Sequence, residues 1–434
     1  MAVDHETLLR RFTLLVAVSA LAAYAAVYAL GLAWPPIRSD GFSYHVYLPS
    51  WFLFHDPSLE ALSRDCCGGT YPQFSGLFRW PHTGRWMDPH PMGVAVLASP
   101  FFLAAHALTR WSNLSPDGFS LYYQLLTAAS GVFYLVVGLA FLQRTLEGLF
   151  TPGVVVATLA TTTWGTNLFH YGTYDSYFSH VFSFCLLSAL LWLTPRWLSA
   201  PSAGLSTAIG AVAGLIVLTR HANALFLAWP VLYGVTGAGS LRARALFFRV
   251  HWRRVATAAA AAALVVAPQV AFYRSATGEW LMSPYGALGT FRFASPRIAA
   301  VLLSPEKGLF FWSPILLLGL VGLFRPRPPL PQVVAPAALI LVAHTYLIAS
   351  WSDWQLGGSY GHRGFTDVLP LLALGLGAFF SSVRGTRAAP VVAAVVALAI
   401  ALSVFQMVQY WMRIIPPSDT SWALYRSIFL RLRP

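Results

Sequence analysis

Leu14-Leu15-Val16-Ala17-Val18-Ser19-Ala20-Leu21-Ala22-Ala23-Tyr24-Ala25-Ala26-Val27-Tyr28-Ala29-Leu30-Gly31-Leu32-Ala33-Trp34 is an uncharged run preceded by Arg10 and Arg11. A helix rises about 1.5 Å per residue, so a run of this length reaches across the roughly 30 Å hydrocarbon core of a bilayer. No small-residue cleavage site follows it, so it is expected to stay in the membrane as a signal anchor. Its basic flank then places the N-terminus in the cytoplasm.

The rest of the 434-residue chain repeats the pattern. Apolar residues make up 57% and charged residues only 10%, and mean hydropathy is +0.62. That is too little polar surface for a water-soluble globule of this size. Runs suited to spanning fall near 14–34, 119–141, 152–171, 179–195, 204–219, 222–236, 255–273, 308–324, 331–350, 366–381 and 389–412. The expected fold is therefore all-α, a polytopic membrane protein of about eleven transmembrane helices. No internal repeat divides it, so residues 1–434 are expected to form a single membrane domain.

Charge orients the helices. The net charge of +13 would suggest nucleic acid in a soluble protein, but no basic stripe or aromatic reading motif accompanies it. No nucleic-acid partner is expected; the arginines fall in short links, where they face anionic lipid. These links carry Arg144, Arg196, the group Arg242, Arg244, Arg249, Arg253 and Arg254, then Arg325 with Arg327 and Arg384 with Arg387. With them inside, only Asp4, Glu6 and Glu147 of the 15 acids are cytoplasmic. The others are expected to face outward, most of them in long loops near 35–118, 274–307 and 351–365. The apolar stretch 91–109 is expected to be interfacial or partly embedded, because a crossing there would turn the five-arginine link outward. The arginine-bearing C-terminal stretch 421–433 would lie on the outer surface as an amphipathic helix. Cys66, Cys67 and Cys185 give neither a disulfide framework nor zinc-ligand spacing.

Chemistry is sought in the outer loops. Ile37-Arg38-Ser39-Asp40-Gly41-Phe42-Ser43-Tyr44-His45 sets a carboxylate just past the membrane boundary. It is suited either to act as general base on a hydroxyl or to cap an interfacial helix. The connector Phe169-His170-Tyr171-Gly172-Thr173-Tyr174-Asp175-Ser176-Tyr177-Phe178-Ser179-His180 is richer in His, Tyr and Asp than a turn requires. Asp175 with His170 or His180 could hold a divalent ion, or the segment could be a helix cap with interfacial tyrosines. Arg220 interrupts an apolar stretch, which marks an ionisable group with a partner or ligand. Lys307 is the only lysine, and either meets a phosphate as a point charge or pairs with Glu306 on the surface. Gly357-Gly358-Ser359-Tyr360-Gly361-His362-Arg363 combines close backbone approach with two phosphate-binding side chains beside a helix N-terminus.

The Asp40 stretch, Pro89-His90-Pro91-Met92-Gly93 with Ser99-Pro100-Phe101-Phe102, Ser304-Pro305-Glu306-Lys307-Gly308 and the 357–363 loop together resemble bacterial GT-C superfamily glycosyltransferases. Those relatives include the protein O-mannosyltransferases and the lipid A aminoarabinose transferase. The resemblance follows the order of elements over most of the chain and is strongest around Asp40. It implies a GT-C-like fold with interfacial helices in the first outer loop, in the bacterial inner membrane with the active site facing the periplasm. It also implies inverting transfer of a sugar from a polyprenyl-phosphate donor to a hydroxyl acceptor, whether glycan, lipid or protein.

Asp40 then matches the general base, and Asp175 the second acid, which shapes an acceptor or metal site with His180, Asp88 and His90. Gly41 stands where those relatives carry the second member of an acidic pair, which leaves a divalent metal ion open and no other cofactor expected. Arg220, Lys307, His362 and Arg363 are the candidates for the donor phosphate. Tyr44, His45, Tyr174 and Tyr360 are the candidates for sugar or lipid contact. Two other classes stay open. An O-antigen ligase or polymerase would use a polyprenyl-diphosphate glycan and rely on His362 and Arg363. A lipid-linked substrate flippase would show repeat symmetry and mid-helix charges.

Overall fold

The computed structural model describes residues 5–65, 76–280, 282, 285, 289–325 and 330–433; Asp4, Cys66, Cys67 and Arg327 lie outside them. The first apolar run forms α1 (His5–Ala29). Past its end the Ile37 N–H donates to Gln124 Oε1 at 3.0 Å, beside the entry to the next long helix. Between these points lie α2 (Asp40–Phe52), α3 (Glu60–Asp65), the antiparallel ribbon of β1 (Phe78–Arg79) and β2 (Trp86–Met87), and α4 (Gly93–Arg110). They leave one end of the bundle and return to it.

α4 is long and apolar enough to cross a membrane, but its contacts keep it at that end. Gly93 packs on the Leu218–Thr219 backbone, and Phe102 and His106 meet Tyr123. The later helices therefore keep the alternation expected from the sequence. A wide turn at Tyr123–Thr127 leads into α5 (Ala128–Glu147), then α6 (Pro152–Trp164), α7 (Leu168–Thr173), α8 (Ser179–Ser199) and α9 (Ala203–Thr219). Gly131 packs on Ser176 and Gly138 on Cys185, while the Trp197 indole donates to Ser206. These contacts fix α5, α8 and α9 as successive antiparallel neighbours.

A 3₁₀ stretch His221–Leu227 and α10 (Ala228–Leu232) descend to α11 (Ala238–Val250) at the opposite end, and α12 (Trp252–Thr277) climbs back. The arginine-rich link is thus mostly a helix, and α11 buries none of its residues. α13 (Ile298–Leu303), α14 (Leu309–Trp312), α15 (Leu316–Leu323) and α16 (Pro331–Ser350) follow. A 3₁₀ turn at Arg363–Val368 opens α17 (Leu369–Val383), and α18 (Ala389–Trp411) and α19 (Trp422–Ile428) complete the chain.

Eight helical segments among the described residues are long and apolar enough to span a membrane. α4 is one of the eight, and α9 and His221–Leu232 are shorter apolar helices beside them. The protein is an all-α, multi-pass membrane protein.

Burial sorts these passes. α8 and the segment Arg363–Val383 are 78% and 72% buried, whereas α12 and α18 are 11% and 17% buried. The first two form the centre, and the last two present Leu264, Val391 and Leu398 outward, as lipid-facing helices do. Small residues draw the central helices together. Gly322 on α15 and Gly375 on α17 lie so close to the facing backbone that a Cβ at either would collide with a carbonyl, the close approach that bilayer helices use in place of hydrophobic exclusion. The polar residues of interest sit where the two buried segments begin.

Candidate functional site

Asp40 is the first residue of α2, after Ser39 at φ 50°, and its carboxylate is not spent on a cap. Oδ2 instead meets Arg363 Nη2 at 2.9 Å, with a quarter of the Asp40 side chain open to solvent. Burial alone would raise this carboxyl, but Arg363, then His90, His180 and Arg220, hold it down at about 2. The helix N-terminus favours the same anionic form. The Arg363 guanidinium lies over the Phe178 ring. Its Nε–H is buried without a partner among the described residues, so the guanidinium has a donor to spare for an anion.

A second cluster adjoins it. Asp367, fully buried, meets His180 Nδ1 at 3.0 Å through Oδ1 and Arg220 Nε at 3.1 Å through Oδ2. Asn223 Nδ2 donates to the same Oδ2 at 3.1 Å. His180 was expected beside Asp175; it belongs to Asp367. Asp367 was not among the expected site residues, although a lone carboxylate inside an apolar span is itself a signal.

Asp88 and His90 form a third pair. Asp88 accepts from the His90 backbone N–H at 2.8 Å, and the His90 ring lies edge-on to Tyr44. Burial pushes the Asp88 carboxyl up to about 6 against the contacts with His90. Burial also opposes charge on His90, but Asp88 and Asp40 outweigh it and lift the imidazole above its ordinary value. Asp88 and His90 thus belong electrostatically with Asp40.

Asp175 is held elsewhere. Arg38 Nη2 meets Oδ1 at 2.7 Å, and His170 Nε2 meets Oδ2 at 2.9 Å. The Trp411 indole N–H donates to His170 Nδ1 at 3.0 Å, so the ring proton is on Nε2 and is donated to Asp175. Arg38 also donates to the Ala33 and Pro35 carbonyls. Burial would raise the Asp175 carboxyl, but Arg38 and His170 carry it below the usual range.

Lys307 is buried rather than on the surface, and its amine donates to the Ser359 and Pro417 carbonyls at 2.6 and 2.5 Å. It ties the loop before Arg363 to the segment after α18. Burial, then the charge of Arg363, lowers its pKa to about 7. His362 is buried against Phe365, and burial followed by Lys307 takes it down to about 3. Of the four expected phosphate ligands, Arg363 pairs with Asp40, and Arg220 helps hold the Asp40 carboxyl down through its charge.

The expected sugar-contact residues are core groups. His45 and Tyr360 are buried, His45 donating through Nε2–H to the Gly118 carbonyl and Tyr360 through its O–H to the Ser403 carbonyl. Tyr174 stacks on Trp411, and Tyr44 donates to Ser179. No aromatic face of these four stands open, because each ring fills space between helices.

Among the described residues no three possible metal ligands gather. Asp40 and Asp175 are each paired with an arginine, where a cation would compete, whereas Asp88 Oδ2 is buried without a hydrogen-bond partner among the described residues.

No family model matches the sequence, and no curated protein matches it. Among solved structures the chain is similar to the archaeal oligosaccharyltransferase AglB from Archaeoglobus fulgidus in complex with an inhibitory peptide and a dolichol-phosphate. Identity is 13% and the TM-score 0.45, over 98% of this chain and 60% of that one. An Archaeoglobus fulgidus oligosaccharyltransferase in the apo form is similar at 13% identity and a TM-score of 0.44, over 97% and 60%. The chain spans about 60% of the length of these structures. At that identity no residue correspondence follows.

Proposed function

We propose that this protein is an inverting GT-C-type glycosyltransferase that moves a sugar from a polyprenyl-phosphate donor to a hydroxyl acceptor at the extracytoplasmic face of a bacterial inner membrane. The observation that carries it is Asp40. A part-exposed carboxylate at a helix start is paired with an arginine that still has a free buried N–H, at the end of the bundle opposite the arginine-rich α11. The positive-inside bias puts that end outside.

In this reading the donor phosphate sits at headgroup depth between Arg220 and Arg363, with its tail in the bilayer. Asp40 takes the proton of the acceptor hydroxyl, whose oxygen forms a bond to the anomeric carbon. The bond from that carbon to the phosphate oxygen breaks, and the lipid phosphate leaves with the electron pair. The two guanidiniums stabilise the charge that develops on it. Arg363 must serve both partners. While it pairs with Asp40 the carboxylate is a weak base, and a phosphate that draws Arg363 away restores basicity as the acceptor arrives. Asp88 and His90 complete the electrostatics on the Asp40 side. The reaction as drawn needs no metal ion.

The test is sugar transfer by purified protein in detergent, with radiolabelled polyprenyl-monophosphate sugars and envelope-lipid acceptors, for wild type and Asp40→Asn. Transfer by wild type that disappears in the variant supports the reading. Transfer only from diphosphate-linked glycans, independent of Asp40, overturns it.

A further inference from the structure

Asp367 has no access to substrate, since its side chain is fully buried, yet it gathers three polar side chains from three elements. His180 starts α8, Arg220 ends α9 and Asn223 lies in the 3₁₀ stretch after it. A buried carboxylate needs such partners to stay ionised. Here the burial is uneven. Asp367 and His180 are closed off, but one fifth of the Arg220 side chain is exposed.

The atoms used decide what remains. Arg220 gives its Nε–H to Asp367 Oδ2 at 3.1 Å. Nη1 lies 3.3 Å from both nitrogens of the His180 ring, so the guanidinium is braced against the imidazole. Nη2 makes no hydrogen bond among the described residues. Arg220 nevertheless acts on Asp40 across the site. The guanidinium is thus gripped along its Nε and Nη1 side, and the one fifth of the side chain that is exposed is left for a ligand.

We propose that Asp367 is a positioning residue for phosphate recognition: by holding the Nε side of Arg220 it turns the Nη side toward the donor phosphate, so that Arg220 and Arg363 grip the phosphate from two directions. This rests on the glycosyltransferase reading of the site. A lysine could not do the same, because it has a single charged nitrogen and would satisfy Asp367 or the phosphate, but not both in fixed geometry. The ligand class is a lipid-linked phosphate, either as the sugar phosphodiester or as the released polyprenyl monophosphate.

The experiment measures direct binding of polyprenyl monophosphate to the purified full-length protein, beside donor KM and kcat, for wild type, Asp367→Asn, Arg220→Lys and the double variant. Losing one well-placed charge-assisted hydrogen bond is expected to weaken lipid-phosphate binding and raise donor KM about tenfold, with a fall in kcat beside it because Arg220 also meets the leaving phosphate. The double variant should be no worse than Arg220→Lys, because both act through one guanidinium. Additive losses, or a fall in kcat with binding intact, overturn the proposal. If Asp367→Asn does not fold, Arg220→Lys decides alone, and unchanged lipid-phosphate binding in it overturns the proposal. Wild-type protein that binds the lipid phosphate in this Asp367-dependent way but transfers no sugar defeats the glycosyltransferase reading and leaves the positioning role standing.

Discussion

Asp40 and Asp175 lie at the same end of the bundle, each within 3 Å of an arginine nitrogen, and the surroundings of the two arginines differ. Arg38 donates hydrogen bonds to Asp175 and to two carbonyls, and Asp175 accepts a further hydrogen bond from a histidine fixed by Trp411. Arg363 has a buried N–H left over, and Asp40 keeps a quarter of its surface open. A closed network rigidifies the joint between α1, α7 and α18; an open one has capacity for a ligand. In the proposed reaction Asp175 therefore braces the site in which Asp40 is the base.

The largest effect is expected at Asp40. Removing a general base costs on the order of 10²–10⁴ in rate, so Asp40→Asn should lose turnover by about that factor. Donor binding should hold or tighten, since Arg363 is released to the phosphate; single-turnover transfer beside lipid-phosphate binding checks both. Asp175→Ala should do the reverse. Unpairing a buried carboxylate network costs several kcal/mol, reduced here because Arg38 is partly exposed, so about 2 kcal/mol of stability is expected. Turnover per folded molecule should stay within about threefold. An Asp175→Ala protein that melts normally but has lost kcat would collapse the distinction and return Asp175 to the acceptor site.

Arg363→Gln sharpens the same contrast through pH. With Arg363 present and no donor bound the Asp40 carboxyl is held at about 2, so the base stays ionised and no acid limb shows above about pH 4 in kcat/KM for the donor. Without the cation, burial is left to favour the neutral acid, and the Asp40 pKa rises. The acid limb should then move to higher pH by at least about one unit in kcat/KM for the donor, which reports the enzyme before the phosphate has drawn Arg363 away. A limb that stays put would mean Arg363 is not what holds Asp40 ionised.

Much of this architecture was legible because a bilayer leaves few choices: uncharged runs must be helices, and the links between them carry their orientation in arginines. The stretch 91–109 was ambiguous by composition alone, and its reading as non-crossing turns on contacts such as Gly93 against Thr219. Asp40, Arg220 and Arg363 were legible as charges at helix ends. Their partners were not, because pairing Asp40 with Arg363 joins residues 323 positions apart in sequence. His180 was assigned to the nearer Asp175 for the same reason, and Asp367 was passed over behind the conspicuous Gly-His-Arg loop. The aromatics misled most, since a ring at a membrane face and a ring filling the gap between helices have the same sequence signature. Tyr360 and Tyr174 are the latter.

Lys307 offers the smallest effect and tests how far the brace extends. Its amine bridges the Ser359 and Pro417 carbonyls, so Lys307→Met leaves two acceptors unpaired but also removes a buried charge. These terms oppose each other, and a net loss of about 1 kcal/mol is expected. The pH dependence carries the sign. The folded amine has its pKa lowered to about 7, while in the unfolded chain it titrates near about 10.4. Between those values the unfolded state binds more protons, so wild-type stability gains a contribution as pH rises through that window. Lys307→Met should lose this rise, seen as a flatter thermal midpoint between about pH 7 and 9. Because the Ser359 carbonyl lies four residues before Arg363, the same variant should raise donor KM about two- to threefold without touching the Asp40 acid limb. A change in that limb would show that the loop transmits to the Asp40–Arg363 pair itself, and the line between brace and working site would have to be drawn on the far side of Lys307.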